Sequence, residues 1–332
     1  MKAMLLEKTG PVSGSSLTGK DLPDPAPGQG EISVKINACA ICRTDLHIVE
    51  GDLDLPGLPV IPGHQIIGRV LAAGSGVARF SEGARVGIAW LNSTCGHCKF
   101  CRSGRENLCH DARFTGFHTD GGYAEEVIVP ADFAYHVPDD LPDIQAAPLL
   151  CAGIIGYRAL KVSGIESGSR LGLYGFGASA HVTIQVARHA GCEVYVFSRG
   201  AEHRELAEEL GAVWTGGPGD RPNTKLDASI IFAPAGELVL PALEALDRSG
   251  ALVLAGIHMS PVPELEYEKH LYYERSIKSV TASTRQDGEE LLKMAPEIPI
   301  RTQTQPFSLA DANLALTLLA EGRINGAGVL VP

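Results

Sequence analysis

Basic side chains are scarce in this chain relative to acidic ones. Its 332 residues include 28 Lys and Arg but 39 Asp and Glu, which gives a formal net charge of −11 at pH 7. Nucleic-acid binding requires clustered Lys and Arg that neutralise phosphate groups. The shortage of basic residues therefore predicts that the protein has no nucleic-acid partner.

Long apolar runs are also missing. A membrane-spanning helix needs a run of about 18 or more apolar residues, and the sequence contains none. Residues 1–7 are too short in their apolar part to form a secretory signal. We therefore expect a cytoplasmic protein with no membrane partner.

Low-complexity tracts are absent as well, because the 38 glycines and 21 prolines are scattered along the chain. The composition is that of a soluble globular protein. At 332 residues the chain exceeds the usual size of a single hydrophobic core. The sequence therefore predicts two domains.

Four of the eight cysteines lie close together with the spacing C-x2-C-x2-C-x7-C. They are Cys95, Cys98, Cys101 and Cys109. Four thiolates at about 2.3 Å satisfy a tetrahedral Zn²⁺ and leave no open position for water. A disulfide pair and a [4Fe–4S] cluster are the alternatives, but no secretory signal is present and iron–sulfur spacings differ. The spacing predicts a structural zinc site.

A second set of metal-ligand types is spread along the chain. Cys42 follows a strand pattern, His64 follows Gly63 at the start of another, and Cys151 lies downstream. A lone histidine is more often structural, but one His and two Cys form a known ligand set for catalytic zinc with an open fourth position. Cys39 and Cys192 remain, and both are most simply buried small hydrophobes. Cys39 and Cys42 form a C-x-x-C pair, so a dithiol redox role for them stays open.

The second half of the chain alternates strands and helices. Residues 170–174 form a strand pattern, and the turn from Gly175 through Gly177 to Ala180 reads G-x-G-x-x-A before a helix pattern at 181–190. A further strand at 193–197 completes a nucleotide-binding βαβ unit, in which the glycines bring the backbone close to a pyrophosphate.

Further elements follow the same alternation. Helices are predicted at 205–210 and 237–247, and strands at 227–232, 251–255 and 277–281. A helix at 309–321 and a strand at 328–331 end the chain. The alternation predicts a doubly wound parallel sheet that follows a β-rich first domain, which includes a strand at 31–36.

Several motifs appear together in this order. They are Cys42-Arg-Thr-Asp-Leu-His47, Gly63-His64 with Gly68 and Gly74, the cysteine ladder, and Asp120-Gly-Gly-Tyr-Ala124. The chain thereby resembles the zinc-dependent medium-chain alcohol dehydrogenases of the bacterial and yeast type along its full length. The resemblance implies a GroES-like catalytic domain at 1–152 completed by 286–332, and a Rossmann domain at 153–285. It also implies a homodimer or homotetramer.

The segment after Cys42 holds the predicted catalytic residues. Asp45 is expected to accept the free ring N–H of His64 and fix its tautomer, and a helix cap is the alternative for this residue. The resemblance implies that Thr44 accepts the proton of the alcohol and that His47 continues the relay. An exposed loop histidine is the alternative for His47.

The cofactor preference depends on the end of the second Rossmann strand. NAD-specific relatives place Asp or Glu there, whereas this chain has Ser198 and Arg199, which can bind a 2′-phosphate. We therefore predict NADP(H), although NAD(H) stays possible because Glu202 could approach the ribose. Arg43 resembles the residue that reaches the cofactor pyrophosphate; a solvated surface arginine is its alternative.

The predicted substrates are primary alcohols of medium chain length or with an aromatic group, and their aldehydes. Trp90 is expected to form an apolar wall, and Leu53 stands where yeast-type relatives often place a second tryptophan, so the pocket is expected to be wide. Two rival hypotheses remain. One is a nicotinamide-binding redox or structural protein with little turnover, and the other is a polyol dehydrogenase of the same fold.

The chain departs from the family pattern at two positions. Relatives usually have Glu where this chain has Gln65, and often Arg where it has Ala327. In relatives that Glu lies behind the zinc and can contact that Arg. Losing both charges together avoids leaving one of them buried and unpaired.

Overall fold

The computed structural model describes residues 1–14, 16–298, 300–324 and 326–332. The chain divides into two compact units. Unit 1 comprises Met1–Cys151, Thr284–Glu297 and Arg301–Pro332, and unit 2 comprises Ala152–Ser283 and Ile298–Ile300. The domain boundaries predicted from the sequence stay predictions. None of the described helices is long and apolar enough to cross a membrane.

The strands are named in chain order. They are β1 (Lys2–Leu6), β2 (Leu17–Asp21), β3 (Glu31–Ala40), β4 (Gln65–Ala73), β5 (Arg85–Ile88), β6 (Leu91–Ser93), β7 (Arg113–Phe114), β8 (Glu126–Pro130), β9 (Ala134–His136), β10 (Arg170–Tyr174), β11 (Glu193–Phe197), β12 (Trp214–Gly216), β13 (Leu226–Ile231), β14 (Leu246–Leu254), β15 (Ser276–Ser279), β16 (Thr304–Ser308) and β17 (Ala327–Val331).

The helices are named in the same way. They are α1 (Arg43–Glu50), α2 (Lys99–Arg102), α3 (Asp143–Ala146), α4 (Ala152–Ser163), α5 (Ala178–His189), α6 (Ala201–Glu209), α7 (Val239–Ala245), α8 (Tyr267–His270), α9 (Arg285–Met294) and α10 (Ala312–Ala320). Short 3-10 helices lie at Val12–Gly14, Glu106–Leu108, Ala131–Phe133, Ala147–Leu150, Gly236–Leu238 and Leu309–Asp311.

Unit 1 is built on a sheet of seven strands in the order β16-β17-β3-β4-β5-β9, with β8 also paired to β3. The long antiparallel pair β3 and β4 forms its centre. Gly68 in β4 is required there, because a Cβ at this position would lie 2.2 Å from the carbonyl oxygen of Lys35. Gly68 thereby lets β4 lie close to β3 where it pairs with Ile36, between the two bulges of this strand pair.

Unit 2 contains a parallel sheet of six strands in the order β12-β11-β10-β13-β14-β15. Chain order along the sheet is therefore 3-2-1-4-5-6, the order of the dinucleotide-binding fold. The apolar residues of β10, β11 and β13 are buried, as expected for strands that helices cover on both faces. The predicted α/β class with a β-rich unit and a doubly wound unit is confirmed.

The structure corrects several predicted boundaries. The strands at 170–174 and 193–197 have the predicted limits, but the nucleotide-motif helix starts at Ala178 and not at residue 181. Gly177 acts as its N-cap with an extended backbone, so the helix begins inside the motif. The helix predicted at 205–210 starts at Ala201. Strand β12 and helix α9 were missed, because a strand of only three residues and a largely polar amphipathic segment give weak periodicity.

Candidate active site

The four clustered cysteines come together on a short lobe of unit 1. The sulfur atoms of Cys95 and Cys101 lie 3.9 Å apart, those of Cys98 and Cys101 3.5 Å, and those of Cys109 and Cys95 3.5 Å. A tetrahedral Zn²⁺ with sulfur at 2.3 Å requires sulfur atoms about 3.8 Å apart. A disulfide would require about 2.05 Å, so the geometry fits a zinc ion and not a disulfide.

Backbone amides of the same lobe point at the thiol groups. The N–H of Cys98 donates to Cys95 Sγ and the N–H of Cys101 donates to Cys98 Sγ. The amide of Cys101 lowers the pKa of Cys98 to about 7. Amides that favour thiolates prepare this loop to hold a cation.

The three other predicted ligands come from different parts of unit 1 and meet at one point. Cys42 is the N-cap of α1, His64 directly precedes β4, and Cys151 follows the 3-10 helix at Ala147–Leu150. Their ligand atoms all lie within 4.8 Å of one another. Gly63, with φ +98°, lets the chain turn so that His64 enters this cluster.

The distances within this second cluster also fit zinc. Cys42 Sγ lies 3.5 Å from His64 Nε2, and a tetrahedral zinc with one sulfur and one imidazole nitrogen requires about 3.6 Å. Burial opposes a charge on the His64 ring, but Asp45 and Cys42 raise its pKa to about 10. The site therefore favours a positive charge, and a bound metal would replace the ring proton. With three protein ligands, one position is left for a substrate oxygen.

Asp45 is fully buried and has two contacts in this cluster. Its Oδ2 accepts a hydrogen bond of 2.7 Å from the backbone N–H of Cys42. Its Oδ1 lies 3.3 Å from His64 Nδ1, the ring nitrogen that faces away from the sulfur. The two interpretations of Asp45 made from the sequence, a helix cap and a partner of the ligand histidine, are thus compatible in one side chain.

Tyr123 is a buried neighbour of Asp45 that the sequence analysis did not single out. Burial, together with the Asp45 carboxylate, raises the pKa of the Tyr123 hydroxyl well above its usual range. The hydroxyl therefore stays protonated beside the carboxylate. Its place in the 120–124 motif was a signal that could have drawn attention to it.

The relay residues lie on the first turns of α1. Thr44 is 9 % exposed, and His47 lies one turn further along the helix. His47 Nδ1 is 2.8 Å from Asp52 Oδ2, a partner that the sequence analysis missed. Asp52 lies just beyond the C-cap Gly51, so the carboxylate five residues after His47 was the available signal. Arg43 is exposed at the first position of the helix.

Trp90 lies against the ligand histidine and is supported by two phenylalanines that the sequence analysis missed. Its ring meets the His64 ring edge-on at 4.9 Å and stacks on Phe114 at 4.9 Å with an interplanar angle of 11°. Phe117 adds a tilted contact at 5.8 Å. Leu53 is half-buried against the core of unit 1. An aromatic surface therefore lines one side of the cluster.

The nucleotide motif lies in unit 2 between β10 and α5. Gly175 has φ +86° and Gly177 caps α5, while Ala180 is fully buried in the first turn. A Cβ on Gly177 would meet nothing within 4 Å, so the backbone of the turn is open to a ligand. This is the arrangement that binds a pyrophosphate at a helix N-terminus.

The predicted 2′-phosphate residues come directly after β11. Ser198 is 4 % exposed and its backbone N–H donates to the Gly216 carbonyl. Arg199 is exposed. Both therefore lie at the carboxyl end of β11, where this fold binds the adenosine ribose.

The remaining positions named from the sequence are all buried. They are Gln65, Ala327, Cys39 and Cys192. Gln65 is 1 % exposed, and its Nε2 donates to the Ala40 carbonyl at 3.2 Å. Ala327 is buried in β17. Cys39 and Cys192 are buried thiols, and burial raises the pKa of both.

Comparisons with known proteins agree with this arrangement. Residues 28–139 match the family described as "Alcohol dehydrogenase GroES-like domain", and residues 180–297 match "Zinc-binding dehydrogenase". A Mycobacterium tuberculosis (strain CDC 1551 / Oshkosh) protein named "Probable alcohol dehydrogenase AdhA" is 50 % identical over 336 aligned positions, covering 100 % of this chain and 97 % of that protein. The chain belongs to the zinc-dependent medium-chain alcohol dehydrogenases.

Solved structures of this family have the same fold. A cinnamyl alcohol dehydrogenase of Sorghum bicolor (SbCAD4) matches with a TM-score of 0.90 and 27 % identity over 99 % of this chain and 97 % of its own. An acetophenone reductase of Geotrichum candidum NBRC 4597, in complex with NAD, matches with a TM-score of 0.88 and 26 % identity over 100 % and 97 %.

The predicted family and enzyme class are confirmed by these similarities. The chain is an NAD(P)-dependent alcohol dehydrogenase that uses zinc and acts on small alcohols and aldehydes. The hypothesis of a nicotinamide-binding protein with little turnover is therefore not favoured.

Proposed function

We propose that this alcohol dehydrogenase oxidises primary alcohols of medium chain length or with an aromatic group, and reduces the matching aldehydes, with NADP(H) as its cofactor. The observation that carries the proposal is the Cys42, His64 and Cys151 cluster, whose ligand atoms lie within 4.8 Å of one another beside the Trp90 ring.

We assign the catalytic metal to this cluster. Zinc bound there supplies a Lewis acid that polarises the substrate oxygen and lowers the pKa of its hydroxyl. Asp45 would hold His64 in the tautomer that presents Nε2 to the metal. A nicotinamide bound in unit 2 would supply the hydride acceptor for alcohol oxidation and the hydride donor for aldehyde reduction.

We assign the proton transfer to α1. The Thr44 hydroxyl would accept the proton of the substrate hydroxyl while it donates its own proton to a ribose hydroxyl of the bound cofactor, which would donate in turn to His47. His47 then passes a proton towards solvent, because its side chain is 19 % exposed and its Nδ1 is paired with Asp52. Arg43, at the start of the same helix, is assigned to the cofactor pyrophosphate.

A second, structural zinc is proposed for the lobe of Cys95, Cys98, Cys101 and Cys109. The sulfur separations of 3.5–3.9 Å support it. Four thiolates and one Zn²⁺ together carry a charge of about −2. Lys99, Arg102 and Arg105 lie on the same lobe and offset this charge.

The NADP(H) assignment is supported by the residues directly after β11. Ser198 and Arg199 supply a hydroxyl and a guanidinium, and neither position offers a carboxylate that would repel a 2′-phosphate.

The substrate class is supported by the aromatic residues beside His64. Trp90, Phe114 and Phe117 present an apolar aromatic surface beside the ligand histidine. Such a surface suits an alkyl or aryl group better than a polyol.

We also propose that the protein forms a homodimer or homotetramer through unit 2. Strand β15 lies at the end of the six-stranded sheet, so one of its edges is unpaired in the single chain. Tyr272 and Tyr273, which precede this strand, are 58 % and 43 % exposed. Size-exclusion chromatography with light scattering tests this assignment, and a monomer would contradict it.

A substrate panel with both nicotinamides tests the main proposal. Ethanol, octanol, benzyl alcohol and sorbitol would be assayed with NADP and with NAD, together with a zinc count per chain. We expect a higher catalytic efficiency with NADP and with octanol or benzyl alcohol. Higher efficiency with NAD would overturn the cofactor assignment, and turnover limited to sorbitol would overturn the substrate assignment.

A further inference from the structure

The turn between β11 and α6 contains a histidine whose ring folds back over it. His203 Nδ1 lies 3.4 Å from Ser198 Oγ. A Cβ placed on Gly200 would meet Nδ1 of the same ring at 3.5 Å. The imidazole therefore lies against the turn, while His203 as a whole is exposed to solvent.

Arg204 holds the backbone of the same turn. Its Nη1 donates to the carbonyl oxygen of Ser198 at 2.7 Å and to that of Arg199 at 2.9 Å. A single guanidinium nitrogen that binds two successive carbonyls restricts the path of the chain at these two residues. The Nη1 group of Arg204 is thereby occupied with the backbone of the turn.

The start of α6 offers further donors. Its N-cap is Gly200, which has no side chain to satisfy the first backbone N–H groups of the helix. The guanidinium of Arg199 makes no hydrogen bond or ion pair with the part of the chain that the structure describes. Glu202 is the acidic residue of the first turn. The turn thus combines unsatisfied N–H groups and basic side chains with one carboxylate.

We propose that His203 is a specificity-determining residue for the 2′-phosphate of NADP(H), acting beside Ser198 and Arg199, and that Arg204 is the positioning residue of this turn. The inference rests on the NADP(H) assignment made above. A phosphate monoester carries a charge near −2 and strong acceptor oxygens. The Ser198 hydroxyl and the His203 imidazole lie 3.4 Å apart, and Arg199 adds a guanidinium from the same turn, so the turn supplies donors of three kinds.

The competing explanation is that His203 only packs over the N-terminus of α6 and supports the fold. A second one is that Glu202 binds the ribose hydroxyls of NAD. Both can be separated from the proposal by two ligands that differ only in the 2′-phosphate, namely 2′,5′-ADP and 5′-AMP.

The experiment measures the dissociation constants of 2′,5′-ADP and 5′-AMP by calorimetry for the full-length protein and for His203→Gln. Glu202→Gln is the matched control on the preceding position. We expect His203→Gln to weaken 2′,5′-ADP by about tenfold, the loss of one charge-assisted hydrogen bond, and to leave 5′-AMP unchanged. Glu202→Gln should bind 2′,5′-ADP as tightly as the parent protein or more tightly.

Arg204 is tested with the same two ligands. Arg204→Leu should lose affinity for 2′,5′-ADP more than for 5′-AMP, and Arg204→Lys should recover part of that affinity because one donor remains for the carbonyls. Equal weakening of both ligands in Arg204→Leu, without recovery in Arg204→Lys, would show a structural role only and overturn the positioning assignment.

The outcomes distinguish this inference from the cofactor assignment on which it rests. If the parent protein does not prefer 2′,5′-ADP over 5′-AMP, the NADP(H) assignment falls and the inference falls with it. If the parent protein does prefer 2′,5′-ADP but His203→Gln binds it equally well, or loses both ligands alike, the role of His203 alone is overturned. Neither result depends on alcohol turnover.

Discussion

At the residue scale, the buried carboxylate of Asp45 contacts both the start of a helix and a residue of the proposed metal site. It is the third residue of α1 and accepts the N–H of Cys42 at the helix start, while its other oxygen approaches His64 Nδ1. The two functions coincide because Cys42 is both the N-cap and a predicted ligand. The side chain of the residue three positions after the N-cap can reach back to the backbone N–H of the N-cap.

Replacing Asp45 by Asn should separate these functions. The amide oxygen can still accept from Cys42, but the charge that holds His64 is lost. We expect the three-ligand site to bind zinc about 10- to 100-fold more weakly. Competition with a chelator measures this, and the zinc of the cysteine lobe serves as the internal standard. An affinity within twofold of the parent protein would contradict the assignment of Asp45.

Gln65 is a second buried polar residue, and its neighbours determine which side chain is stable at this position. The side chain is 1 % exposed and donates to the carbonyl oxygen of Ala40. A carboxylate at this position would face that oxygen without a donor of its own. The neutral amide is therefore the suitable group in a chain that has Ala327 where relatives often have Arg.

We predict that Gln65→Glu lowers the free energy of unfolding by about 1–3 kcal/mol, the cost of a buried polar group without a partner. Thermal denaturation at pH 7 measures the effect. Gln65→Met is the matched control, because it removes the hydrogen bond without adding a charge, and it should cost less. Adding Ala327→Arg to Gln65→Glu should restore part of the loss. An equal or higher melting temperature for the single variant counts against the prediction.

At the scale of elements, Glu244 connects three segments of unit 2. It lies on α7 and pairs with Lys269 on α8 at 2.7 Å and with Arg221 on the loop before β13. His270 Nε2 is 3.5 Å away. The hydrogen bond from Lys269 is the main cause that holds the pKa of Glu244 below its usual value of 4.5, and Arg221 adds to it.

This pKa shift predicts a pH-dependent contribution to stability. A carboxyl group whose pKa is lower in the folded state stabilises the fold above about pH 4.5, and the contribution is lost as the pH falls through the folded-state pKa. Glu244→Gln should therefore lower the melting temperature by about 2 °C at pH 7, since exposed partners limit the pair to roughly 1 kcal/mol.

The pH series provides the check on this prediction. The difference between Glu244→Gln and the parent protein should be constant from pH 7 to about 5 and should shrink as the pH falls further through the folded-state pKa. Glu268→Gln on α8 is the control, because it removes an exposed carboxylate without a described partner, and it should show no such trend. A difference that stays constant with pH would mean that Glu244 acts through packing and not through its charge.

At the scale of the whole molecule, the two proposed zinc sites have different numbers of protein ligands and should respond differently to a chelator. The cluster of three ligands has an open position, whereas the lobe has four sulfur ligands. We expect two zinc ions per chain that leave in two phases. Activity should disappear with the first ion, and the melting temperature should fall with the second.

A colorimetric zinc assay during chelation, with parallel activity and melting measurements, monitors both phases. Cys42→Ser should retain one zinc and most of its thermal stability, and Cys101→Ser should retain one zinc with a lower melting temperature. A single phase, or one zinc per chain in the parent protein, would contradict the assignment of two sites.

Local sequence was sufficient where neighbouring residues alone determine the structure. The limits of β10 and β11 were predictable from short apolar runs bounded by glycine, and the cysteine ladder was predictable from spacing, because its four sulfurs lie within 15 residues. The family resemblance then added a function for positions far apart in the chain. The start of α5 was misplaced because the helix begins inside the glycine motif, directly after Gly177.

Tertiary structure alone determined which distant side chains touch. The stack of Phe114 on Trp90 and the burial of Tyr123 beside Asp45 have no local signature. Sequence patterns indicate which faces of an element are apolar. They do not indicate how strands from separate segments pair with one another. The ligand cluster is the clearest case: the residue types of Cys42, His64 and Cys151 were readable in the chain, but their common point in space depends on strand pairing and helix starts across 110 residues.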